Sequence, residues 1–485
     1  MTKNRIKVLI CKYNNLSAGA KASLWFVFCN ILQRGISLLT TPIFTRLLSK
    51  EQFGMFNVYT SWYNIVAIFT TLHLSASVYT KGLIKFEDKR DEFTSSMIGL
   101  SSTATLIFTG IYLIFRSQFD NWFGLPTVCI LAMFAESLFY PAYTFWSAKE
   151  KVDYKYKKVV LFTLVMSIAS PVLGVICVKA TEYKVEARIL SFVFVQVIMG
   201  AIMYIALMWK GKKFFSRQYW KYALTFNLPL IPHYLSLIIL QQSDKIMIEK
   251  LTGAGDAALY SIAYTIGQML LLVTNAINFS YIPFAYRALK DGNEKSLGKR
   301  SVQLLYFVAA SLIIVICIGP ELLKLISTPE YHEAIWVIPL VAAASFFQYF
   351  YNLFTVVEYH FEKTVFVMIV SVVSAILNIV LNYIFIKQYG YIAAAYTTLF
   401  CYLLTGISHY MFARHIYCKN TGKKWFINDY KAFLPAVVVI VMMFVMLFLY
   451  NYSIVRYCLL GLIIVLCIVF HKRLAVTIRK MLSKG

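Results

Sequence analysis

Asn57, Ser61, Asn64 and Thr71 fall at helical spacing inside a stretch otherwise apolar enough to span a membrane. About 204 residues later Ser261, Thr265, Gln268 and Asn275 repeat that spacing in a second apolar stretch. Polar side chains in a membrane helix are costly unless they face a bundle interior or water. Hydroxyls and amides aligned on one face can solvate a polar solute, so the two stripes predict related lobes around a polar cavity, as in a transporter. A third face is formed by Asn30, Arg34, Ser37, Thr41 and Thr45, at steps of three and four. Arg34 lies near mid-bilayer, where an arginine costs about 2.5–3.5 kcal/mol on insertion scales. Two readings stand for it. A guanidinium matches phosphate with paired donors and would hold an anionic group in the cavity; otherwise it forms a structural salt bridge with Glu136 or Asp244.

Those two carboxylates are themselves candidates. Glu136 sits mid-way along an apolar run with Tyr140 and Tyr143 on its face, either as a proton carrier or as an ionised partner of Arg34. Asp244 and Lys245 are adjacent and point to different sides, so one faces the cavity while the other snorkels. Asp244 is also a candidate proton or cation site. Pro229 and Pro232 open the same run and predict a kinked or unwound segment. His73 and His233 are weaker candidates, since a lone buried histidine is more often a hydrogen-bonded packing residue.

Positioning these groups requires many apolar helices, and the composition supplies them. Of 485 residues, 60% are hydrophobic and 14% charged, against about 25% charged in an ordinary soluble domain. Apolar runs of about 20 residues recur about fourteen times, among them 22–47, 54–80, 127–147, 222–250 and 257–284. The fold class expected is therefore an all-α polytopic membrane protein. An N-lobe of six spans (1–215) and a C-lobe of six (216–415) would be parallel repeats, followed by two appended spans and a basic tail (416–485). The repeat register sets Phe56 on Tyr260 and the turn at 48–54 over that at 252–256, with Phe139-Tyr140 echoed by Phe350-Tyr351.

The net charge of +25 does not indicate nucleic-acid binding. Roughly 35 of the 47 basic residues lie in the 1–21 head, alternate loops and the 471–485 tail. That asymmetry places both termini in the cytoplasm. The head lacks a signal-peptide core. Nine scattered cysteines without a C-x-x-C pair read as small buried hydrophobes. With no Walker loop, dinucleotide fingerprint, zincin or nucleophile-elbow motif, the chain reads as a non-enzyme with no cofactor, and an ATPase within it is excluded. Coupling to H+ or Na+ is left open.

Residues 33–54, Gln-Arg-Gly-Ile-Ser-Leu-Leu-Thr-Thr-Pro-Ile-Phe-Thr-Arg-Leu-Leu-Ser-Lys-Glu-Gln-Phe-Gly, resemble the opening segment of bacterial Wzx-type polysaccharide flippases. So do Asn-Leu-Pro-Leu-Ile-Pro (227–232) through Asp244-Lys245-Ile246-Met247-Ile248 to Tyr260-Ser261-Ile262-Ala263-Tyr264. Leu377-Asn378-Ile379-Val380-Leu381-Asn382, followed by Tyr389-Gly390-Tyr391, is similar to their eleventh-to-twelfth span connection. The resemblance covers roughly residues 20–415 and extends to the wider MOP superfamily, with its lipid II flippases and MATE-type antiporters. It implies an inner-membrane protein that moves undecaprenyl-pyrophosphate-linked oligosaccharide to the outer leaflet for O-antigen, capsule or other surface polysaccharide. It leaves open a partnership with a polymerase and a chain-length regulator. Arg34 would hold the pyrophosphate, and the second lobe has Ile238 where a matching arginine would stand. A polymerase or ligase would be expected to need a sizeable outer loop, which the sequence lacks.

Overall fold

The computed structural model describes residues 18–75 and 78–469, and every regular element among them is helical. Ten helical stretches among the described residues are long and apolar enough to cross a membrane. Helices are the expected solution, because each closes its own backbone hydrogen bonds where lipid offers no partner. The protein is an all-α, multi-pass membrane protein. Most of the basic head (1–17) and the tail from 470 onward lie outside the described residues. The chain divides into two compact units, Met1–Leu235 and Ser236–Gly485.

In the first unit, α1 is Ala18–Leu47, α2 Lys50–Thr70, α3 Val78–Lys85 and α4 Arg90–Ile114. Next come α5 Arg116–Phe123, α6 Thr127–Val152, α7 Tyr156–Ala180, α8 Lys184–Gly211 and α9 Arg217–Asn227. Helix α8 is the hub, packing on α2, α4, α6 and α7, while α1 lies along α7. Gly200 makes the α6–α8 crossing close: a Cβ there would sit 2.5 Å from the Phe139 carbonyl. The Ser49–Gln52 pair opens α2 as a capping box, with Gln52 N donating to Ser49 Oγ at 3.2 Å and Ser49 N to Gln52 Oε1 at 3.0 Å. The expected span 54–80 does not run through. Thr71 turns its hydroxyl back to the Ala67 carbonyl and accepts from His73 N at 3.2 Å, which offers the backbone an alternative to the next helical turn. Leu72 and His73 then take positive φ.

Helix α10 (Ile231–Thr252), which belongs to the second unit from Ser236 onward, follows a 3-10 turn at Leu228–Leu230, the interruption that Pro229 and Pro232 predict. Then come α11 Ala254–Gly267, α12 Leu270–Lys290, α13 Glu294–Ile326 and α14 Val337–His360. The chain ends its described part with α15 Thr364–Tyr389, α16 Ile392–Thr421, α17 Asp429–Leu449 and α18 Ser453–Val469. Helix α14 is buried almost throughout and packs on α11, α12, α13 and α16. The expected span 257–284 is broken where Gly267 presses on α14, a Cβ there falling 2.8 Å from Val341. The two stripe-bearing segments therefore break at different registers, and the repeat aligns their residues better than their backbones. Arg456 ties α18 to α13, donating to Glu321 Oε1 at 2.5 Å, Glu321 Oε2 at 2.7 Å and the Cys317 carbonyl at 2.9 Å.

Candidate functional site

In the first unit, Asn30, Arg34 and Ser37 are exposed on one face of α1, Thr41 is half-buried and Thr45 buried. No ion pair joins Arg34 to Glu136 among the described residues. Instead the buried Glu136 on α6 accepts from the Tyr59 hydroxyl of α2 at 3.1 Å, with Tyr63 also directed to it. The α2 stripe satisfies part of its own hydrogen bonding. Asn57 Nδ2 donates to the Phe53 carbonyl at 2.9 Å, Ser61 Oγ to that of Asn57 at 2.9 Å, and Asn64 Nδ2 to that of Thr60 at 2.7 Å. These back-bonds lower the cost of polar groups in an apolar stretch and leave the amide oxygens as acceptors.

A cation that sequence reasoning passed over is more fully buried in protein than Arg34. Arg188 on α8 is buried, its guanidinium 3.9 Å from the Phe44 ring centroid and 4.0 Å from that of Phe56. Its Nε and Nη1 have no hydrogen-bond acceptor among the described residues. Two ring faces replace part of its hydration. A lone arginine at the start of an apolar run was the available signal.

In the second unit the predicted residues fall into two groups. Lys245, half-buried, holds its ammonium 5.1 Å from the Tyr264 ring, and Gln268 Nε2 donates to the Tyr264 hydroxyl at 2.5 Å. Thr265 back-bonds to the Ser261 carbonyl at 2.9 Å, Ser261 is buried, and Asn275 is exposed on α12, away from the broken end of α11. The other group centres on Asp244, which is fully buried. Its carboxylate accepts from Tyr260 of α11 at 2.5 Å, Asn382 of α15 at 2.7 Å and Thr398 of α16 at 2.7 Å. Asn378 extends the network: its Nδ2 donates to Thr398 at 3.0 Å, and its Oδ1 accepts from Ser243 at 3.1 Å and from Asn382 at 3.2 Å. Thr397 donates to Asn382 Oδ1. The carboxylate thus accepts from two hydroxyls and one amide nitrogen, with Asn382 Oδ1 turned to Thr397, a set that leaves the carboxylate as the group able to take a proton or a hard cation.

Another pair was missed as well. Glu358 of α14 and His409 of α16 are both fully buried, with His409 Nδ1 at 2.9 and 3.0 Å from the two carboxylate oxygens. His409 stacks on Tyr351, ring centroids 5.5 Å apart. Both residues lie at the ends of apolar runs, where a polar residue looks like the start of a loop.

The helices and their order give a fold shared with solved transporters of the MOP superfamily. The structure is similar to lipid II flippase MurJ in its inward closed conformation, with a TM-score of 0.67 at 15% identity, covering 93% of this chain and 100% of that one. It is also similar to a MOP superfamily transporter from Pyrococcus furiosus, with a TM-score of 0.58 at 13% identity over 83% of this chain and 96% of that one. An inward-facing multidrug resistance MATE family transporter gives a TM-score of 0.55 at 13% identity over 80% and 96%. The profile of the polysaccharide biosynthesis protein family matches residues 20–289, more than half of the chain, and this protein belongs to that family. The MatE profile matches residues 229–384. Among curated relatives, Lsg locus putative protein 1 of Haemophilus influenzae is 24% identical over 285 residues, 56% of this chain and 67% of the relative. An uncharacterized membrane protein of the same organism is 23% identical over 288 residues, 57% of this chain and 67% of the relative.

Proposed function

We propose that this protein is a flippase that moves a lipid-linked oligosaccharide, carried on undecaprenyl pyrophosphate, from the cytoplasmic to the outer leaflet of the inner membrane for surface polysaccharide assembly. The observation that carries this reading is the state of Arg34. Its guanidinium stands exposed between Asn30 and Ser37 mid-way along a helix of 30 residues, with no carboxylate engaged to it among the described residues. A charge at such depth is tolerated when it faces water or an anionic ligand. Glu136 spends its bond on Tyr59, and Asp244 takes its partners within its own unit, which removes support from the structural salt-bridge alternative. In this reading Arg34 contacts the pyrophosphate, Asn30, Ser37, Thr41 and the two stripes solvate sugar hydroxyls, and the isoprenyl tail stays in the bilayer. The two units are the two lobes of an alternating-access cycle, and both termini are cytoplasmic. The Asp244 carboxylate is the preferred seat for a coupling H+ or Na+, with Glu136 the second candidate. Membership of the polysaccharide biosynthesis family supports the substrate class.

The test is movement of a fluorescent isoprenyl-pyrophosphate oligosaccharide across proteoliposome membranes, with a cationic dye run in parallel. Oligosaccharide flipping that Arg34→Ala abolishes, in a variant that inserts normally, is the expected result. Dye transport without oligosaccharide movement would move the protein to the drug-antiporter class. Flipping by Arg34→Ala at the wild-type rate would end the pyrophosphate role.

A further inference from the structure

Away from the proposed translocation residues, the first unit carries an open cleft of about 530 Å3 between α3 and α9. Gln218, Lys221, Tyr222 and Thr225 line one wall, recurring at the three- and four-residue steps of a single face of α9. Lys85 and Phe86 line the other. No carboxylate lines the cleft, and neither Lys85, Lys221 nor the nearby Lys81 takes part in an ion pair among the described residues. A neighbouring charged cleft behaves differently. There Arg90 is held by Glu87 at 2.8 Å and Asp153 at 3.1 Å, Lys149 by Asp91 and Lys155 by Asp153 at 3.1 Å, so three of its cations are already paired with acids.

Lys85 in the cleft and Lys81 beside it are held by aromatic rings rather than by acids. Lys85 Nζ lies 4.5 Å from the Tyr222 ring centroid and 5.6 Å from that of Phe86, and Lys81 Nζ lies 4.5 Å from Phe226. A ring face orients an ammonium without cancelling its charge. The rings are firm, since Phe86 packs edge-on against Tyr219 at 4.9 Å and Tyr222 at 5.4 Å, and Tyr219 is buried against Phe93. Ile84, next to Lys85 in the chain, and Leu228, just after α9, are exposed apolar side chains. Short helices that pair exposed apolar side chains with lysines lie in the membrane interface. Both walls adjoin membrane-crossing stretches, α3 just before Glu87–Ile114 and α9 at the start of Arg217–Thr252.

We propose that this cleft binds the phosphate of a membrane lipid, with Lys85 and Lys221 as cationic ligands and Gln218 and Thr225 as neutral donors. The site rests on the membrane placement of the chain and not on the flippase reading, so either can fail alone. Two lipids share the required chemistry: an anionic phospholipid of the bilayer, and an isoprenyl diphosphate, for which the cleft would be a loading site.

The test uses the purified full chain in detergent, titrated with phosphatidylglycerol, phosphatidylcholine, geranylgeranyl diphosphate and inorganic phosphate, with bound ligand counted by native mass spectrometry. The expected result is that Lys85→Gln with Lys221→Gln weakens anionic-lipid binding about 30-fold, from roughly fivefold per lysine. Lys85→Arg with Lys221→Arg should restore binding, and Lys149→Gln should leave it unchanged. Retention of phosphatidylglycerol over the diphosphate would identify a bilayer-lipid site, and the reverse preference a loading site. Unchanged retention of every probe by the double glutamine variant, with wild-type melting, would overturn the proposal. So would equal binding of the zwitterionic and anionic lipids.

Discussion

Glu136 and Asp244 are both carboxylates buried within membrane-crossing helices, yet the two units treat them differently. Glu136 is tethered by tyrosine hydroxyls from one neighbouring helix, α2. Asp244 is tied to three other helices through Tyr260, Asn382 and Thr398, with Asn378, Thr397 and Ser243 completing the network. Burying a charge is strongly unfavourable unless hydrogen bonds replace its hydration. The contrast teaches that Asp244 is part of what holds its unit together, whereas Glu136 is lightly held and its removal leaves few orphaned partners.

The sharpest way to break that comparison is to remove Asp244. Asp244→Ala leaves Tyr260, Asn382 and Thr398 facing a buried void, and should cost about 3 kcal/mol or more, read as a lowered thermal unfolding midpoint in detergent. Asp244→Asn keeps the shape and should recover most of that stability while abolishing any dependence of transport on H+ or Na+ gradients. An Asp244→Ala variant as stable as wild type would show that the network is not an anchor. Asn382→Ala, which breaks the link to Asp244 while Thr397 keeps its bond to the Ala394 carbonyl, should cost about 2 kcal/mol in the same measurement.

Glu136 should behave in the opposite sense. Glu136→Gln still accepts from Tyr59, so stability should change by less than about 1 kcal/mol, while oligosaccharide flipping in proteoliposomes falls sharply if Glu136 carries a proton. Equal stability losses at Glu136 and Asp244 would erase the distinction between the units. The smallest effect is expected for Tyr59→Phe, about 1 kcal/mol or less, with transport reduced rather than lost.

The limits of sequence reading follow from the same residues. Apolar runs located the helices, and Pro229 with Pro232 located the break before α10. The end of α2 at Thr70 was not visible, because it depends on a threonine hydroxyl turning back onto its own helix. Nor was the break after Gly267, which reflects contact with Val341 on a helix 74 positions further along the chain. Of the candidate site, Arg34, Glu136 and Asp244 stood out because charge is rare in apolar runs. Arg188 carried the same signal in weaker form, at the edge of its run. Asn378 and Asn382 were visible as a motif but not as partners of Asp244.

The sequence by itself determined that this chain crosses a membrane many times, because hydropathy and charge asymmetry are sums over local residues that need no tertiary contact. It also determined where polar groups would be costly, since helical periodicity places side chains on a face. Only the tertiary structure decided which of those groups meet. The partners of Asp244 stand 16, 138 and 154 positions away, and Glu358 meets His409 across 51. Helical periodicity carries no signal for such meetings. They are settled by which helices pack together, and by the cost of leaving a buried polar atom without a partner there.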